Sequence, residues 1–240
     1  MSANILIMGD SWGVPSYPPK NFINSRIQYL KSLNPSVEIE FNHLGDPPHT
    51  HLEFLLKKEG YSVINTAKSG SSNLEAILRA KDYFNDVDTI IWFHTESLRD
   101  FKDINKPFKV EDITTQYAIQ SYQEFEKITK DLNCKKIVIG GQAPVIVEEF
   151  NKYVSNVDLL IENWHSEILN KTIPFTHALC HINLIGHKHC INTHEEKMQI
   201  LNNVEFILNL DELSTDFPDN AHPGRIPHKN LFEKIQNIIN

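Results

Sequence analysis

Apolar positions follow two rhythms along this chain. Short, mainly apolar runs, Ile5-Leu6-Ile7-Met8, Tyr61 to Asn65, Thr89 to Phe93 and Lys136 to Gly140, are rich in β-branched residues and end at or just before Gly, Asn or His. Runs of this kind, apolar without alternation, read as strands buried on both faces. Between them the spacing turns helical. Phe22, Ile23, Ile27, Leu30 and Leu33 share one stripe, and Leu52 to Lys58 is closed by Gly60. The loop Ala67 to Asn73, whose serines suit an N-cap, opens a further helix running to about Phe84, and a long one spans Ile113 to Leu132. Val145 to Asn170 reads as mostly helical with a break near Ser155-Asn156. A fifth strand is expected around His181 to Ile185, then helices over 195–213 and 228–239. Val14 to Pro19 and His43 to His51 read as loops. Strands alternating with helices predict an α/β fold whose parallel sheet lies between helical layers.

Length and composition narrow the class. At 240 residues, with no repeat or linker, the chain suits one domain over 1–240 with surface insertions. A formal net charge of −8 argues against a nucleic-acid partner, which would want a basic face. The longest apolar runs, such as Ile90-Ile91-Trp92-Phe93, are far too short for a membrane span. No basic residue precedes the first apolar run, so no signal-peptide pattern is visible and a cytoplasmic protein is expected. Three cysteines, an odd number, do not make a disulfide framework.

Candidate chemistry lies at the two ends. Gly9-Asp10-Ser11-Trp12 follows the first strand directly, placing a serine at the rim where open α/β sheets bind ligands. Asp219-Asn220-Ala221-His222-Pro223 precedes the last helix. A serine hydroxyl needs a base to become a nucleophile, and the base needs an orienting group. Ser11 as nucleophile, His222 as general base and Asp219 as orienting acid supply all three, with Asp216 the fallback for Asp219. Asp10 is expected to brace the loops.

This pairing resembles the SGNH/GDSL hydrolase family, whose first motif is Gly-Asp-Ser after strand one and whose last is Asp-x-x-His before the C-terminal helix. The resemblance implies a three-layer α/β/α sandwich, flavodoxin-like in outline, with a mainly parallel sheet of about five strands. It implies ester hydrolysis through an acyl-enzyme, without a cofactor, on a small-molecule or carbohydrate ester. An O-acetylated sugar is favoured because no long apolar groove or lid segment is evident. An acyltransferase with the same triad and a non-catalytic module of the same fold are the alternatives, and the oligomeric state stays open.

The family draws its oxyanion donors from the serine N–H, a glycine after strand two and an asparagine after strand three. Ser11 and Gly70 match the first two. The third block departs: where Gly-x-Asn-Asp is expected, this chain has His94-Thr95-Glu96-Ser97. Thr95 is taken as the replacement donor, with Glu96 turned toward Arg99. Asn73, or the two backbone N–H groups alone, are the other solutions.

Two features compete for attention. His177, Cys180, His181, His187, His189, Cys190 and His194 crowd one segment, yet no subset has a closed zinc spacing, and no metal site is expected. Trp12, Tyr17 and Trp92 read as core more readily than as a pocket wall, and Arg99-Asp100 as ion-pairing residues more readily than as a substrate grip.

Overall fold

Alternation within the strands decides the architecture. In β1 (Asn4–Gly9), Ile5 and Ile7 belong to one apolar cluster and Leu6 and Met8 to another, all essentially without exposure. The same split recurs in β3 (Thr89–His94), Ile91 and Phe93 against Ile90 and Trp92. In β4 (Lys135–Gly140) it divides Ile137 and Ile139 from Val138. Strands apolar on both faces have to lie between two helical layers.

A computed structural model describes residues 4–10, 13, 51–101, 105–141, 144–164, 184–208 and 225–240, and it has that form. With β2 (Ser62–Asn65) and β5 (Leu159–Ile161), the strands make a five-stranded sheet in the order β2-β1-β3-β4-β5. Every pairing is parallel. One face is covered by α1 (Leu52–Lys58) and α6 (Arg225–Ile239). They contribute Leu52, Leu56, Leu231, Ile235 and Ile239, each stripe repeating every four residues. The other face carries α2 (Asn73–Ala80), α3 (Val110–Thr129) and α4 (Val147–Tyr153). Ile77, Ala118, Tyr122, Phe125 and Phe150 are their core residues. Burying each large apolar side chain contributes roughly 1.5–3 kcal/mol. A third cluster, Leu98, Phe108, Val110, Ile113 and Ile185, seats α5 (His194–Leu208) through Ile200 and Leu201. Among the described residues no helix is long and apolar enough to cross a membrane.

The α/β class, the parallel sheet and four of the strands match the sequence reading. The fifth strand does not. It lies at Leu159–Ile161, in a stretch that reads as helical, whereas Leu184 and Ile185 form a helical turn packed into the third cluster. What makes a strand of this short leucine-rich run is its neighbours. Asn156 takes a positive φ of 54° after α4, a conformation that asparagine tolerates. Asp158 then clasps β4 from both sides, donating its N–H to Lys136 O at 2.9 Å and accepting Lys136 N–H on Oδ2 at 2.8 Å. The expected strand start at His181, the helix at 22–33 and the loop over 14–19 lie outside the described residues, as does all of the 43–51 loop but His51.

Strand order positions the site. The chain leaves β1 for one neighbour, β2, and later returns to the other, β3. The crevice at the C-terminal ends of β1 and β3 is therefore the switch point at which such sheets bind ligands. Gly9 closes β1 there with φ +134°, and a Cβ on it would stand 2.3 Å from Phe93 O. Both the backbone conformation and the close strand approach demand glycine. Gly9→Ala is expected to lower the unfolding free energy by about 3 kcal/mol in a denaturant titration. An unchanged midpoint would contradict this view of the β1 end.

Candidate active site

Asp10 and Gly13 bracket positions 11 and 12, and both are anchored. Gly13 N–H donates to Asp10 O at 3.2 Å. Gly13 O accepts from Asn65 Nδ2 at 2.8 Å, and that amide also donates to Glu53 Oε2 of α1 at 2.7 Å. Asn65 Oδ1 accepts Ala67 N–H at 2.9 Å, so the end of β2 is fastened to the segment leaving β1. Ser11, Asp219, His222 and the fallback Asp216 lie outside the described residues, as do Trp12 and Tyr17.

Asp10 is 1 % exposed. A carboxylate so buried needs partners, because desolvation of the unpaired charge is strongly unfavourable. Its Oδ2 accepts the Thr95 hydroxyl at 2.7 Å and Arg99 Nη1 at 3.2 Å. Arg99 Nε donates to Glu96 Oε2 at 3.2 Å, so Glu96 does turn toward Arg99. Asp100 goes elsewhere and accepts Leu74 N–H at 3.3 Å in the first turn of α2, where a negative charge suits the helix dipole. Sequence reading saw the charges at 99 and 100 but not that Asp10 is Arg99's partner. The signal was indirect: β1 and β3 are neighbours in a doubly wound sheet, so residues just past their ends meet.

A second net joins the exits of β2 and β3. Asn73, fully buried at the start of α2, accepts Thr95 N–H on Oδ1 and donates from Nδ2 to Thr95 O, both at 2.9 Å. That pair fixes the orientation of the amide. Its Nδ2 also lies 3.1 Å from His94 Nε2, so the amide is the donor, His94 Nε2 the acceptor, and the ring proton of neutral His94 sits on Nδ1. Nδ1 is buried without a hydrogen-bond partner among the described residues, as is Trp92 Nε1. Burial, which disfavours the charged ring, pushes the His94 pKa down to about 3. Trp92 is core, packed against Tyr122 and Phe125.

These bonds bear on the oxyanion candidates. The single hydroxyl hydrogen of Thr95 is directed at Asp10, and the Asn73 amide at Thr95 O and His94. Gly70 is different. It is exposed, takes φ +74° in a turn closed by Ser71 N–H to Lys68 O at 3.0 Å, and among the described residues beyond its chain neighbours none has an atom within 4 Å of a hypothetical Cβ. Its need for glycine is conformational, as in a type II turn. Its N–H makes no hydrogen bond among the described residues.

The His/Cys segment is partly described, with His177, Cys180 and His181 outside. His189 N–H donates to His187 Nδ1 at 3.2 Å, and Cys190 Sγ lies 3.4 Å from Asn192 Oδ1. Asn192 Oδ1 also accepts Val110 N–H at 2.9 Å, which satisfies an orphan donor at the start of α3. Among the described residues no group of three His, Cys, Asp or Glu side chains is placed to hold a metal ion.

The His94 arrangement is testable by pH. Its folded pKa of about 3 lies below the ordinary 6.5, so on acidification the unfolded chain takes up this proton first. The stability tied to a neutral His94 is complete above about pH 6.5 and is lost toward pH 3, at up to about 1.4 kcal/mol per pH unit. Nitrogen-15 NMR of the ring should show protonated Nδ1 and bare Nε2 down to about pH 4. A His94 titration near pH 6.5 would contradict it.

No family model matches the chain, and no curated protein matches it. Among solved structures, TesA is similar over 99 % of this chain and 98 % of its own, at 14 % identity and a TM-score of 0.43. A mutant of Axe2, an acetyl-xylooligosaccharide esterase from Geobacillus, is similar over 99 % of this chain and 94 % of its own, at 11 % identity and a TM-score of 0.46. A protein described as a GDSL-like lipase, from Parabacteroides merdae, is similar over 99 % and 96 %, at 12 % identity and a TM-score of 0.43. These likenesses are of overall outline, and the chemistry of the site rests on this chain's own residues.

Proposed function

We propose that the chain is a serine ester hydrolase of the SGNH/GDSL type. One observation carries the reading: the residue before Ser11 is buried and clamped at the switch point of the sheet, at the open end of β1. Ser11 Oγ attacks the ester carbonyl while His222 removes its proton, and Asp219 accepts the other imidazole N–H and fixes the tautomer. The tetrahedral intermediate collapses, the C–O bond to the alcohol breaks, and His222 returns the proton to the leaving oxygen. Water then attacks the acyl-enzyme with His222 again as base, which releases the acid and restores Ser11. This chemistry needs no cofactor.

The oxyanion is met by the backbone N–H groups of Ser11 and Gly70. Thr95 would join them only by giving up the Asp10 carboxylate, so its assigned part is to brace Asp10. A hole without a side-chain amide gives up about 3 kcal/mol for each missing donor. The favoured substrates are small esters and O-acetyl esters of carbohydrates, for which no long acyl groove is required.

A fluorophosphonate probe should label the wild type at Ser11 and leave Ser11→Ala unlabelled. Ser11→Ala and His222→Ala should each abolish aryl acetate turnover, the double variant being scarcely worse than either, because members of one catalytic unit fail together. Labelling of Ser11→Ala at the wild-type rate would sink the assignment.

Thr95→Val separates bracing from direct donation. Bracing predicts that turnover falls about tenfold and that unfolding free energy falls too, by about 1.5–3 kcal/mol, the worth of a hydrogen bond to a charged group. Thr95→Ser should retain most of both. A slower Thr95→Val enzyme of unchanged stability would return Thr95 to the oxyanion hole.

A further inference from the structure

Arg99 bonds to two backbone segments at once. Its Nη1 lies 3.2 Å from Asp10 Oδ2 and 3.5 Å from Ser71 O, while its Nε is held by Glu96. Asp10 precedes Ser11 and Ser71 follows Gly70. One guanidinium is therefore attached next to each of the two proposed oxyanion donors.

The hydrogen bonds that continue the β1–β2 pairing run from Thr66 N–H to Ile7 O and from Lys68 N–H to Gly9 O, at 2.8 and 3.1 Å. Past Gly9 and Lys68, no backbone hydrogen bond joins the two segments among the described residues. Arg99 takes over there, with its side chain only 26 % exposed and Asp10's 2 %. A planar guanidinium with several N–H groups suits such bridging, whereas lysine offers a compact point charge.

We propose that Arg99 is a positioning residue that holds Asp10, at the end of β1, to the Gly70-Ser71 turn, and so sets how well the proposed hole, which lacks the family's asparagine, holds an oxyanion. The proposal rests on the serine hydrolase reading. In this role Arg99 touches no reacting atom; it acts through Asp10 and Ser71. Misplacing donors by a fraction of an ångström weakens stabilisation of the transition state more than binding of the substrate. The effect therefore falls on kcat rather than on KM.

The test compares an aryl acetate with the matching thionoacetate, whose carbonyl oxygen is sulfur, in wild type, Arg99→Ala and Arg99→Lys. Donors spaced for an oxyanion favour oxygen over the larger sulfur, and a misplaced pair loses that preference. Arg99→Ala should lower kcat on the acetate about thirtyfold or more, with KM changed by less than about twofold, and should lower the thionoacetate rate far less. Arg99→Lys keeps a cation beside buried Asp10 and should fall between wild type and Arg99→Ala. It carries the test alone if Arg99→Ala does not fold. If both substrates slow by one factor, or the variants keep wild-type kcat while the wild type is labelled by the phosphonate, the positioning role is wrong and the hydrolase reading stands. A wild type that is neither labelled nor active overturns both.

Discussion

The carboxylate of Asp10 is the constraint around which this end of the molecule is arranged. It is buried at the tip of the first strand, and a buried charge is tolerated only with close partners. Thr95 and Arg99 are those partners, and both come from the segment that follows β3. Meeting this one need ties β1 to β3 beyond their last ladder pair, Gly9 with Phe93. Through Arg99 it reaches Ser71, and through Thr95 the amide of Asn73. The three loops that open on the switch point are thereby held to one another by side chains where the backbone ladder has ended.

The arrangement carries a chemical consequence. Side chains that could otherwise aim at a developing oxyanion are engaged with each other, and the N–H of Gly70, in its left-handed turn, has no hydrogen-bond acceptor among the described residues. On the proposed hydrolase reading, these side-chain bonds would hold the two remaining donors in place of a third. Preorganised dipoles are effective because they need no reorganisation as charge develops. Neutral His94 belongs to the same logic: a cation on that ring would set two donors, Nε2–H and the Asn73 amide, against each other.

Much of the fold was legible in the sequence because buried parallel strands leave a plain signature. Ile5 to Met8 and Thr89 to Phe93 are apolar on both faces, and no other context suits such runs between helical stripes. Leu159–Ile161 escaped because a short leucine-rich run carries no period of its own; its strand state comes from Asp158 and Asn156, which are tertiary and turn effects. At the site, the turn of Glu96 toward Arg99 could be read from charge, since a carboxylate facing an oxyanion would repel it. The partnership of Arg99 with Asp10 could not, since the two are 89 residues apart in sequence. Thr95 was read as an oxyanion donor, whereas its hydroxyl donates to Asp10; the identity of that acceptor is a property of packing.

The most direct measurement of the central claim is a high-resolution crystal structure of the phosphonate adduct. The account predicts phosphorus on Ser11 Oγ, with the phosphonyl oxygen accepting from the N–H groups of Ser11 and Gly70. The Thr95 hydroxyl should remain on Asp10 and the Asn73 amide on Thr95 O and His94. An adduct on another residue, or a phosphonyl oxygen held by the Thr95 hydroxyl or the Asn73 amide, would contradict it.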